Sequence, residues 1–565
     1  MHKRIEVTLC QINTTVGDLT GNSEKILQNI ESARSGFGSS GADPLYVFPE
    51  LAISGYPPLD LVENPCFIDE QLEALYTLCQ KTSDLNVPFI VGYIDRNMHR
   101  GRSLYNSAAV CLSGKIIYKY RKRLLPTYDI FDESRYFEPG TEPGLWSYNG
   151  VRVGLLICED LWHHNRHYTV NPAKELFRSK ADILISINSS PAILGKEKKR
   201  LSLGASVSRE YCTPLFYVNQ VGGNDDIVFD GLSFCMNSNG ELLAQAKPYE
   251  EDIISVSVGI EEDHQSKIGQ KPYIYSSDSE FFYRQAVRGI KDYTRKSGFQ
   301  KVVIGSSGGI DSAVTLALAT DAIGEENVKA ITMPSEFSSS GSCDHSAMLC
   351  ENLGVELFTH PIKDIYRQTL GQFNAVFGEA KRGVTEENLQ ARIRGQILMA
   401  YSNRHSALVL STGNKSELSV GYSTIYGDMC GGLAPISDLY KTEVFELARY
   451  YNDFHGGIII PLEILDKEPS AELSNGQKDS DSLPPYDVLD AILRLLIEGE
   501  HLDDLEKNKY RGISKENPEH VNLVLNLLAK AEFKRRQSAI GIKMHEKSFG
   551  YGRRVPIIQK WKYRL

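Results

Sequence analysis

Short apolar runs alternate with segments of helical spacing from the start of the chain to about residue 258. The strand-like runs include 4–13, 45–50, 89–96, 151–158, 181–190 and 252–258, and the helix-like segments include 22–33, 70–83 and 202–212. A succession of this kind predicts buried sheets that are covered by helices, that is, a layered α/β domain.

A polar stretch without periodicity at 263–280 interrupts this pattern and is typical of a linker. The predicted elements after it are a helix at 281–298, a strand at 301–306, a helix at 312–324 and a strand at 329–334. Because a helix that joins two strands of one sheet makes a right-handed crossover, this order predicts a doubly wound, Rossmann-like parallel sheet whose ligands bind at the carboxyl ends of its strands. We therefore predict one domain at 1–262 and a second at 281–565.

Composition and charge narrow the possible partners. The 565 residues carry 62 Lys and Arg against 72 Asp and Glu, a net charge of −10, so we expect no binding to nucleic acid or to an anionic membrane surface. No run reaches the roughly 20 apolar residues of a membrane span, and the first residues lack an apolar secretory core. The ten cysteines are scattered without metal-ligand spacing. These features predict a cytoplasmic protein with free thiols.

Three potentially reactive side chains, Glu50, Lys122 and Cys158, come directly after strand-like runs. A cysteine among apolar residues is usually a core thiol, and a lone glutamate or lysine is usually solvated. Together, however, these residue types form a set for acyl transfer. A carboxylate can take the proton of a thiol, and an ammonium group can stabilise the thiolate and then a tetrahedral oxyanion.

The segments FPELAISGYPP, KRLLPTYDIFDESRYF and LLICEDLW, which contain or border these residues, resemble the glutamine amidohydrolase branch of the nitrilase superfamily. The resemblance covers residues 4–258 and implies an αββα sandwich. It also implies that Glu50 is the general base, Lys122 the oxyanion stabiliser and Cys158 the nucleophile that forms a glutamyl thioester.

The same resemblance places Tyr128, Ser190 and Lys196 at glutamine-binding positions, with Lys196 standing where some relatives have arginine. Glu159, next to the nucleophile, is either a supporting carboxylate or an ordinary helix-start or salt-bridge residue.

A second candidate site lies at 301–319, where KVVIGSSGGIDSAVTLALA reads as a strand, a Ser/Gly turn and a helix. This arrangement directs backbone N–H groups and the positive end of a helix at one point, which favours phosphate binding. The alternative is a plain tight turn. The segment has neither a Walker A lysine nor a GxGxxG pattern, so it predicts neither a P-loop nor a dinucleotide redox site.

The sequence SGGIDS resembles the pyrophosphate-binding loop of the N-type ATP pyrophosphatases, and MPSEFSSS, TEENLQARIRGQ, STGNKSELSVGYSTIYGD and PISDLYKTEVFELARY resemble the NAD synthetase family within that group. Ser306 departs from the apolar residue that relatives often carry before SGG. The resemblance assigns ATP to Thr412 and to the turn residues Gly305, Ser306, Ser307, Gly308, Gly309, Ile310, Asp311 and Ser312.

For the second substrate, the resemblance implies that deamido-NAD contacts Asn388, Glu417 and Lys534, and that Asp311 and Glu417 share Mg²⁺. Mg²⁺ prefers one or two carboxylates together with phosphate oxygens and water. Capping remains the alternative for Thr412 and Asn388. Four arginines are either further phosphate contacts or helix-surface charges: Arg392, Arg394, Arg535 and Arg536.

Together the two resemblances imply a carbon–nitrogen ligase that takes ammonia from glutamine and transfers it to adenylated deamido-NAD in the last step of NAD biosynthesis. They also imply a homodimer formed through the synthetase domain, or a larger homo-oligomer. Because unprotonated ammonia is scarce in water at pH 7, joining the two activities in one chain favours a sheltered passage for it. Three alternatives stay open: an amidotransferase for another substrate on the same fold, an ammonia-only synthetase with an inactive amidase half, and a nucleotide-responsive scaffold.

Overall fold

The computed structural model describes residues 4–36, 44–165, 168–259, 271–474 and 476–561. The chain divides into two compact units, Met1–Ile274 and Tyr275–Leu565, each described here by itself. Residues 263–270 of the predicted linker lie outside the described residues, and the predicted domain boundaries stay predictions.

The first unit contains fourteen described strands and five described α-helices. The strands are β1 (Arg4–Gln11), β2 (Leu45–Val47), β3 (Phe89–Arg96), β4 (Leu104–Leu112), β5 (Lys115–Arg121), β6 (Gly144–Tyr148), β7 (Val151–Ile157), β8 (Ile183–Asn188), β9 (Leu215–Asn219), β10 (Val221–Asn224), β11 (Ile227–Asp230), β12 (Phe234–Met236), β13 (Leu242–Gln245) and β14 (Asp252–Gly259). The α-helices are α1 (Leu19–Gly36), α2 (Pro65–Lys81), α3 (Glu133–Tyr136), α4 (Pro172–Arg178) and α5 (Lys196–Tyr211). Short 3₁₀ helices lie at Leu59–Glu63, Ser83–Leu85 and Cys158–Asn165.

Two six-stranded sheets form the centre of this unit. One has the order β14-β1-β2-β3-β4-β5 and the other β13-β12-β9-β8-β7-β6. Apolar side chains of both sheets, such as Val7 and Ile90 from the first and Val153 and Ile185 from the second, form one buried core. The alternating and continuous apolar runs of the sequence are these strands, most of which are buried on at least one face.

Helices cover the outer face of each sheet. Ile26 of α1 and Leu75 of α2 pack with residues of the first sheet. Leu176 of α4 and Val207 of α5 pack with residues of the second sheet. The unit is therefore an αββα sandwich, and the predicted architecture is confirmed.

The second unit begins with a helix and contains six described strands. Its α-helices are α6 (Asp278–Lys296), α7 (Ile310–Ile323), α8 (Ser340–Leu353), α9 (Lys363–Phe377), α10 (Val384–His405), α11 (Lys415–Val420), α12 (Lys441–His455), α13 (Leu462–Asp466), α14 (Tyr486–Ile497), α15 (Asp504–Glu516), α16 (Pro518–Lys530) and α17 (Glu532–Arg535). Its strands are β15 (Lys301–Gly305), β16 (Val328–Thr332), β17 (Glu356–Thr359), β18 (Ala407–Leu410), β19 (Leu433–Ala434) and β20 (Ile540–Gly541), and 3₁₀ helices lie at Glu325–Asn327, Asp479–Asp481 and Gly499–His501.

The start of α6 differs from the sequence prediction. The helix begins at Asp278, inside the predicted linker, because the Ser277 side chain accepts a hydrogen bond from the backbone N–H of Glu280 and caps the first turn. The carboxylates of Asp278 and Glu280 also favour a helix start, where the helix dipole is positive.

The six strands form one sheet of order β17-β16-β15-β18-β19-β20, and every pairing within it is parallel. The direction of winding reverses between β15 and β18, so the crevice outside their carboxyl ends is where an open α/β sheet binds ligands. Helix α7 follows β15 and is largely apolar and buried. The predicted doubly wound parallel sheet is confirmed.

In the described part of the chain, none of the helices combines the length and the apolar character that crossing a bilayer requires.

Candidate active sites

In the first unit, each of the three predicted reactive residues follows a strand, two in one sheet and one in the other. Glu50 follows β2, Lys122 follows β5 and Cys158 follows β7. Their exposed fractions are 0%, 1% and 6%, so all three are buried. The Nζ atom of Lys122 lies 2.7 Å from Oε1 of Glu50. The Cys158 thiol is close enough to both charges that they affect its pKa.

A second carboxylate, which the sequence reasoning missed, completes this group. Oε1 of Glu133, in α3, lies 2.8 Å from Nζ of Lys122, and it accepts a hydrogen bond of 2.9 Å from the Tyr56 hydroxyl. Nδ2 of Asn106 donates to Oε1 of Glu50 at 2.7 Å. Glu133 falls inside the segment KRLLPTYDIFDESRYF, but several acidic residues surround it there and only the folded contact singles it out.

The charges of this site depend on burial and on pairing. Burial acts to lower the pKa of Lys122, but the Glu133 and Glu50 carboxylates outweigh it and raise that pKa well above its usual value. Burial raises the pKa of Glu133 to about 7 against the opposing effect of Lys122. Burial, with the added charge of Glu50, raises the pKa of the Cys158 thiol well above its usual value despite Lys122. The free thiol is therefore neutral near pH 7 and needs a base to become a nucleophile.

Asp160 fixes the turn that carries Cys158. The Asp160 carboxylate is buried and accepts hydrogen bonds from the backbone N–H of Ile157 at 3.0 Å and of Leu124 at 2.9 Å, and from the Tyr120 hydroxyl at 2.8 Å. Cys158 itself has a backbone φ of 45°, in the left-handed region. One carboxylate thus ties the segment after Lys122 to the strand end before Cys158.

The predicted glutamine-binding residues fall around the same nucleophile. The Tyr128 hydroxyl donates to Oε2 of Glu159 at 2.9 Å, and the Tyr168 hydroxyl donates to Oε1 of the same carboxylate at 2.8 Å. The sequence alone did not mark Tyr168. Of the two interpretations of Glu159, the structure favours a supporting carboxylate held by two tyrosines.

Ser190 and Lys196 lie on the segment between β8 and α5. Ser190 is buried, and its backbone N–H donates to Oδ1 of Asn219 at 2.8 Å. The ammonium of Lys196 lies 4.1 Å from the centre of the Trp162 ring, a cation–π distance. Trp162 belongs to the 3₁₀ helix that begins at Cys158, so Lys196 contacts the segment that carries the nucleophile.

The second unit contains a cavity of about 540 Å³ at the carboxyl ends of β15 and β18. Its lining includes most of the residues assigned from the sequence to ATP and deamido-NAD: Gly305, Ser306, Ser307, Gly309, Ile310, Asp311, Asn388, Thr412, Glu417 and Lys534. Gly308 and Ser312 belong to the same turn and support it. The Ser312 hydroxyl donates to the Gly309 carbonyl at 3.0 Å and lies 3.1 Å from the Ser307 hydroxyl.

The Ser/Gly turn requires glycine at position 308. Gly308 has a φ of 72°, which disfavours residues with a side chain. A Cβ atom there would lie 2.3 Å from the backbone oxygen of Ser342 at the start of α8. The turn therefore packs tightly against α8, and Gly309 forms the N-cap of α7. This is the strand–turn–helix geometry that directs N–H groups at an anion.

Lys441, at the start of α12, joins the two carboxylates that the sequence assigned to Mg²⁺. Its Nζ atom contacts Oδ2 of Asp311 and lies 3.1 Å from Oε1 of Glu417. Asn414 donates from Nδ2 to Oδ1 of Asp311 at 2.9 Å and caps α11. Sequence reasoning missed Lys441, because nothing in PISDLYKTEVFELARY distinguishes a lysine that faces the cavity from a surface lysine.

The electrostatics of this triad follow from burial. Burial raises the pKa of Glu417 to about 8, against the pull of Lys441 and with added repulsion from Asp311. Burial acts to lower the pKa of Lys441, but the Asp311 and Glu417 carboxylates outweigh it and raise that pKa. Two carboxylates and one ammonium group thus share the floor of the cavity, and a cation bound beside Glu417 would favour its ionised form.

Comparison with known proteins gives the family. Residues 6–262 match the carbon-nitrogen hydrolase family, and residues 282–538 match the NAD synthase family. The chain is 40% identical to the glutamine-dependent NAD(+) synthetase of Thermotoga maritima over 99% of both chains, and 42% identical to that of Synechocystis sp. over 98% of both. The chain belongs to the glutamine-dependent NAD(+) synthetase family. Both resemblances seen in the sequence are thereby confirmed.

Solved structures of glutamine-dependent NAD(+) synthetases agree with this assignment. The enzyme from Acinetobacter baumannii, in complex with ADP, is 37% identical and matches with a TM-score of 0.76 over 98% of each chain. The enzyme from Cytophaga hutchinsonii is 20% identical and matches with a TM-score of 0.78 over 99% of this chain and 98% of its own, which shows the shared fold.

Asp311 and Glu417, the two carboxylates that the sequence assigned to Mg²⁺, are placed where both could contact one ion. In the described residues no cluster of three or more His, Cys, Asp or Glu side chains could hold a metal ion. Asp311 and Glu417 nevertheless contact the same Lys441 nitrogen, so their oxygens lie within reach of a single cation. A pair of carboxylates suits Mg²⁺ when phosphate oxygens and water complete its coordination.

Asn388 and Lys534, two of the residues assigned to deamido-NAD, also line this cavity. Oδ1 of Asn388 accepts a hydrogen bond of 2.7 Å from the Thr424 hydroxyl. Nζ of Lys534 donates to the carbonyls of Gly421 at 2.8 Å and Ser423 at 2.7 Å. Asn388 lies inside α10 and does not cap a helix end, and both residues line the cavity.

The four arginines divide into two groups. Arg394 lines the cavity, and its Nε donates to the Met333 carbonyl at 3.0 Å. The other three arginines donate hydrogen bonds to backbone carbonyls. Arg535 is buried and donates to the Ser419 carbonyl at 2.6 Å, while Arg392 and Arg536 donate to the carbonyls of Ile425 and Val555. Of the four, Arg394 is the one that lines the cavity.

Proposed function

We propose that this chain converts deamido-NAD to NAD with glutamine as the nitrogen donor and ATP as the energy source, forming glutamate, AMP and pyrophosphate. One observation carries the proposal: a single chain of this family holds both a buried Cys–Glu–Lys–Glu group and a strand–turn–helix phosphate site that opens into a cavity. The first group of side chains can hydrolyse an amide, and the second site can bind ATP for the activation of a carboxylate.

At the first site, we assign the base to Glu50, the nucleophile to Cys158 and the oxyanion stabiliser to Lys122. Glu50 takes the thiol proton as sulfur attacks the amide carbon of glutamine, and the buried Lys122 ammonium stabilises the negative oxygen that forms. The amide nitrogen of the intermediate takes up the proton that Glu50 holds and leaves as ammonia. Water, deprotonated by Glu50, then attacks the glutamyl thioester to release glutamate and restore the thiol.

Glu133 does not touch the thiol in this scheme but holds Lys122 in place together with Glu50. With two carboxylates around it, the Lys122 ammonium stays protonated and fixed while the negative charge on the substrate develops and disappears. Tyr128, Ser190 and Lys196 would bind the amino-acid end of glutamine, with Lys196 facing its carboxylate and Glu159 its ammonium group.

At the second site, we assign the ATP phosphates to the turn Gly305–Ser312 and further contact with ATP to Thr412. The nicotinate carboxylate of deamido-NAD attacks the α-phosphorus of ATP in line with the departing pyrophosphate. The backbone N–H groups of the turn and the start of α7 stabilise the negative charge on the phosphate oxygens. Mg²⁺, held by Asp311 and Glu417, would neutralise phosphate charge when bound.

The adenylated carboxylate is then attacked by ammonia, which displaces AMP and leaves the carboxamide of NAD. Asn388, Glu417 and Lys534 would orient deamido-NAD so that its carboxylate faces the α-phosphorus. Ammonia is mostly protonated in water near pH 7 and is then not a nucleophile. Its production on the same chain therefore gives the synthetase reaction a supply of the reactive form.

We further propose that the chain acts in the cytoplasm as a homodimer formed through the synthetase unit, or as a larger homo-oligomer built from such dimers. Helix α9 supports this, because it presents Phe373, Val376 and Phe377 to solvent with exposed fractions of 43%, 74% and 71%. An apolar group of this kind on one helix marks an association surface. Sedimentation of the purified chain would test the assembly.

The test of the reaction uses the purified protein with deamido-NAD, ATP and Mg²⁺, supplied with either glutamine or ammonium. We expect NAD and AMP to form in equal amounts with either nitrogen source, and glutamate to form with glutamine. Failure to form NAD from deamido-NAD, together with amidation of a different acid in a substrate panel, would favour an amidotransferase of other specificity. NAD formation with ammonium alone would indicate an inactive amidase half.

A further inference from the structure

The ammonium group of Lys467 faces the cavity of the second unit beside the Ser/Gly turn. Its Nζ donates to the Ser342 hydroxyl at 2.7 Å and lies 2.9 Å from Oε1 of Glu472. Ser342 in turn packs against the turn, since a Cβ atom on Gly308 would lie 2.3 Å from the Ser342 backbone oxygen. The chain of contacts from Gly308 through Ser342 to Lys467 places a positive charge next to the expected position of the ATP phosphates.

The other cationic side chains that line the cavity are already committed to contacts. In the described part of the chain these are Arg394, Lys441 and Lys534. Lys441 is shared by two carboxylates, Arg394 donates to a backbone carbonyl, and Lys534 donates to two carbonyls. Lys467 pairs with one carboxylate, and 24% of its side chain is exposed, so it can exchange that partner for a phosphate with little rearrangement.

Glu472, the partner of Lys467, is held by the start of α8. Its carboxylate accepts hydrogen bonds from the Ser339 hydroxyl at 3.0 Å and from the Ser342 hydroxyl at 2.8 Å. These contacts fix the carboxylate, and therefore the ammonium group bound to it, at the edge of the phosphate turn. The same negative charge would repel a triphosphate that approaches the turn.

We propose that Lys467 binds the phosphate chain of ATP and the pyrophosphate that leaves it, and that Glu472 is a positioning residue that holds Lys467 at this place until the nucleotide arrives. The ammonium then turns from the carboxylate to the phosphate oxygens, a charge-assisted contact with a more highly charged partner. This inference rests on the proposed function, in which ATP occupies the Gly305–Ser312 turn.

The first test is a steady-state comparison of the wild type with Lys467→Ala and Lys467→Arg, using ammonium as the nitrogen source. Loss of a hydrogen bond between charged groups changes affinity by about tenfold or more, so Lys467→Ala is expected to raise the KM for ATP by that factor and to weaken product inhibition by pyrophosphate in parallel. The KM for deamido-NAD should stay within about twofold, and Lys467→Arg should recover most of the ATP affinity.

The matched control is Lys478→Ala. Lys478 belongs to the same segment and also pairs with a glutamate, since its Nζ lies 2.6 Å from Oε2 of Glu468, but both side chains are more than half exposed. This variant should leave the KM for ATP unchanged. The inference is overturned if Lys467→Ala leaves the KM for ATP within about twofold of the wild type, or raises the KM of both substrates equally.

The role of Glu472 is tested with Glu472→Gln, which keeps hydrogen-bond acceptors for Ser339 and Ser342 but removes the negative charge. We expect a higher KM for ATP, by about threefold, because the Lys467 ammonium is no longer held at the edge of the turn, and this effect outweighs the loss of repulsion between Glu472 and the phosphates. An unchanged or lower KM for ATP would remove Glu472 from the proposal.

Two variants of the turn separate this inference from the proposed function. Gly308→Ala forces a clash with Ser342, and Ser307→Ala is a milder change in case the first does not fold. If both bind ATP as the wild type does, ATP does not occupy the turn and the proposed site is wrong. If they lose ATP affinity while Lys467→Ala does not, the inference about Lys467 alone fails.

Discussion

The ammonium nitrogen of Lys122 lies 2.7 Å from a carboxylate oxygen of Glu50, and neither side chain is exposed to solvent. Burying such a pair costs several kcal/mol of desolvation for each charge, and apolar residues of similar size would often give equal or greater stability. Glu133 adds a second carboxylate on the same nitrogen at 2.8 Å. The arrangement therefore makes sense as a site that keeps charges fixed beside the Cys158 thiol.

Substitution of the nucleophile should separate the two activities. Cys158→Ala is expected to reduce glutamine-supported NAD formation by about a thousandfold or more, because no thioester can form. Ammonium-supported synthesis should remain close to that of the wild type. The measurement is the rate of NAD formation with each nitrogen source. Cys66→Ala, at an exposed cysteine, serves as the control and should change neither rate; loss of both activities in a folded Cys158→Ala protein would contradict the division of labour.

The second carboxylate on Lys122 should matter for glutamine hydrolysis alone. Glu133→Gln keeps the size of the side chain but removes one of the two charges that hold the ammonium, so we expect glutaminase activity to fall by about a hundredfold. Ammonium-supported synthesis should be unaffected. Glu138→Gln, at the next glutamate along the chain, is the comparison variant, and equal effects of the two substitutions would show that Glu133 has no special role.

These residues show how far the sequence could predict the site. Glu50, Lys122 and Cys158 could be found because each follows a strand-like run and strand ends converge in a layered α/β domain. Glu133 and Lys441 could not, since their importance lies in contacts with residues 11 and 130 positions away. A sequence pattern records neighbours along a strand or helix, whereas a buried charge finds its partners only once the chain has folded.

In the fold, too, some features could be predicted from the sequence and others could not. The strand and helix order of the second unit followed from hydrophobic periodicity, and so did the position of the phosphate turn between β15 and α7. The early start of α6 did not, because it depends on a Ser277 cap that periodicity does not register. The pairing of the first unit into two sheets came from family resemblance, since periodicity alone cannot say which strands share a sheet.

Removing the carboxylate at the start of α7 should stop the synthetase reaction. Asp311→Asn leaves Lys441 with Glu417 alone and removes one of the two proposed magnesium ligands, so ammonium-supported NAD formation should fall by about a hundredfold or more. Release of glutamate from glutamine should continue, which shows that the chain is folded. The readouts are pyrophosphate and glutamate release. Asp453→Asn, at an exposed position of α12, should be neutral; full synthetase activity in Asp311→Asn would remove that residue from the site.

A buried histidine near the end of the chain should make stability depend on pH. Nε2 of His545 lies 3.0 Å from Oε1 of Glu443, and its Nδ1 contacts the Asp438 carbonyl at 2.8 Å. Burial acts to lower the pKa of His545, but the Glu443 carboxylate outweighs it and raises that pKa from 6.5 to about 9.

Because the folded-state pKa exceeds the unfolded one, protonation of His545 stabilises the fold fully below about pH 6.5, and this contribution is lost as the pH rises through about 9. A shift of this size corresponds to about 3 kcal/mol. We therefore expect the free energy of unfolding, measured by urea titration, to decline over this range. In His545→Gln the decline should flatten, whereas His520→Gln, at a half-exposed surface histidine, should retain it. If the free energy of unfolding declines equally in His545→Gln and the wild type, the group responsible for the pH dependence is not His545.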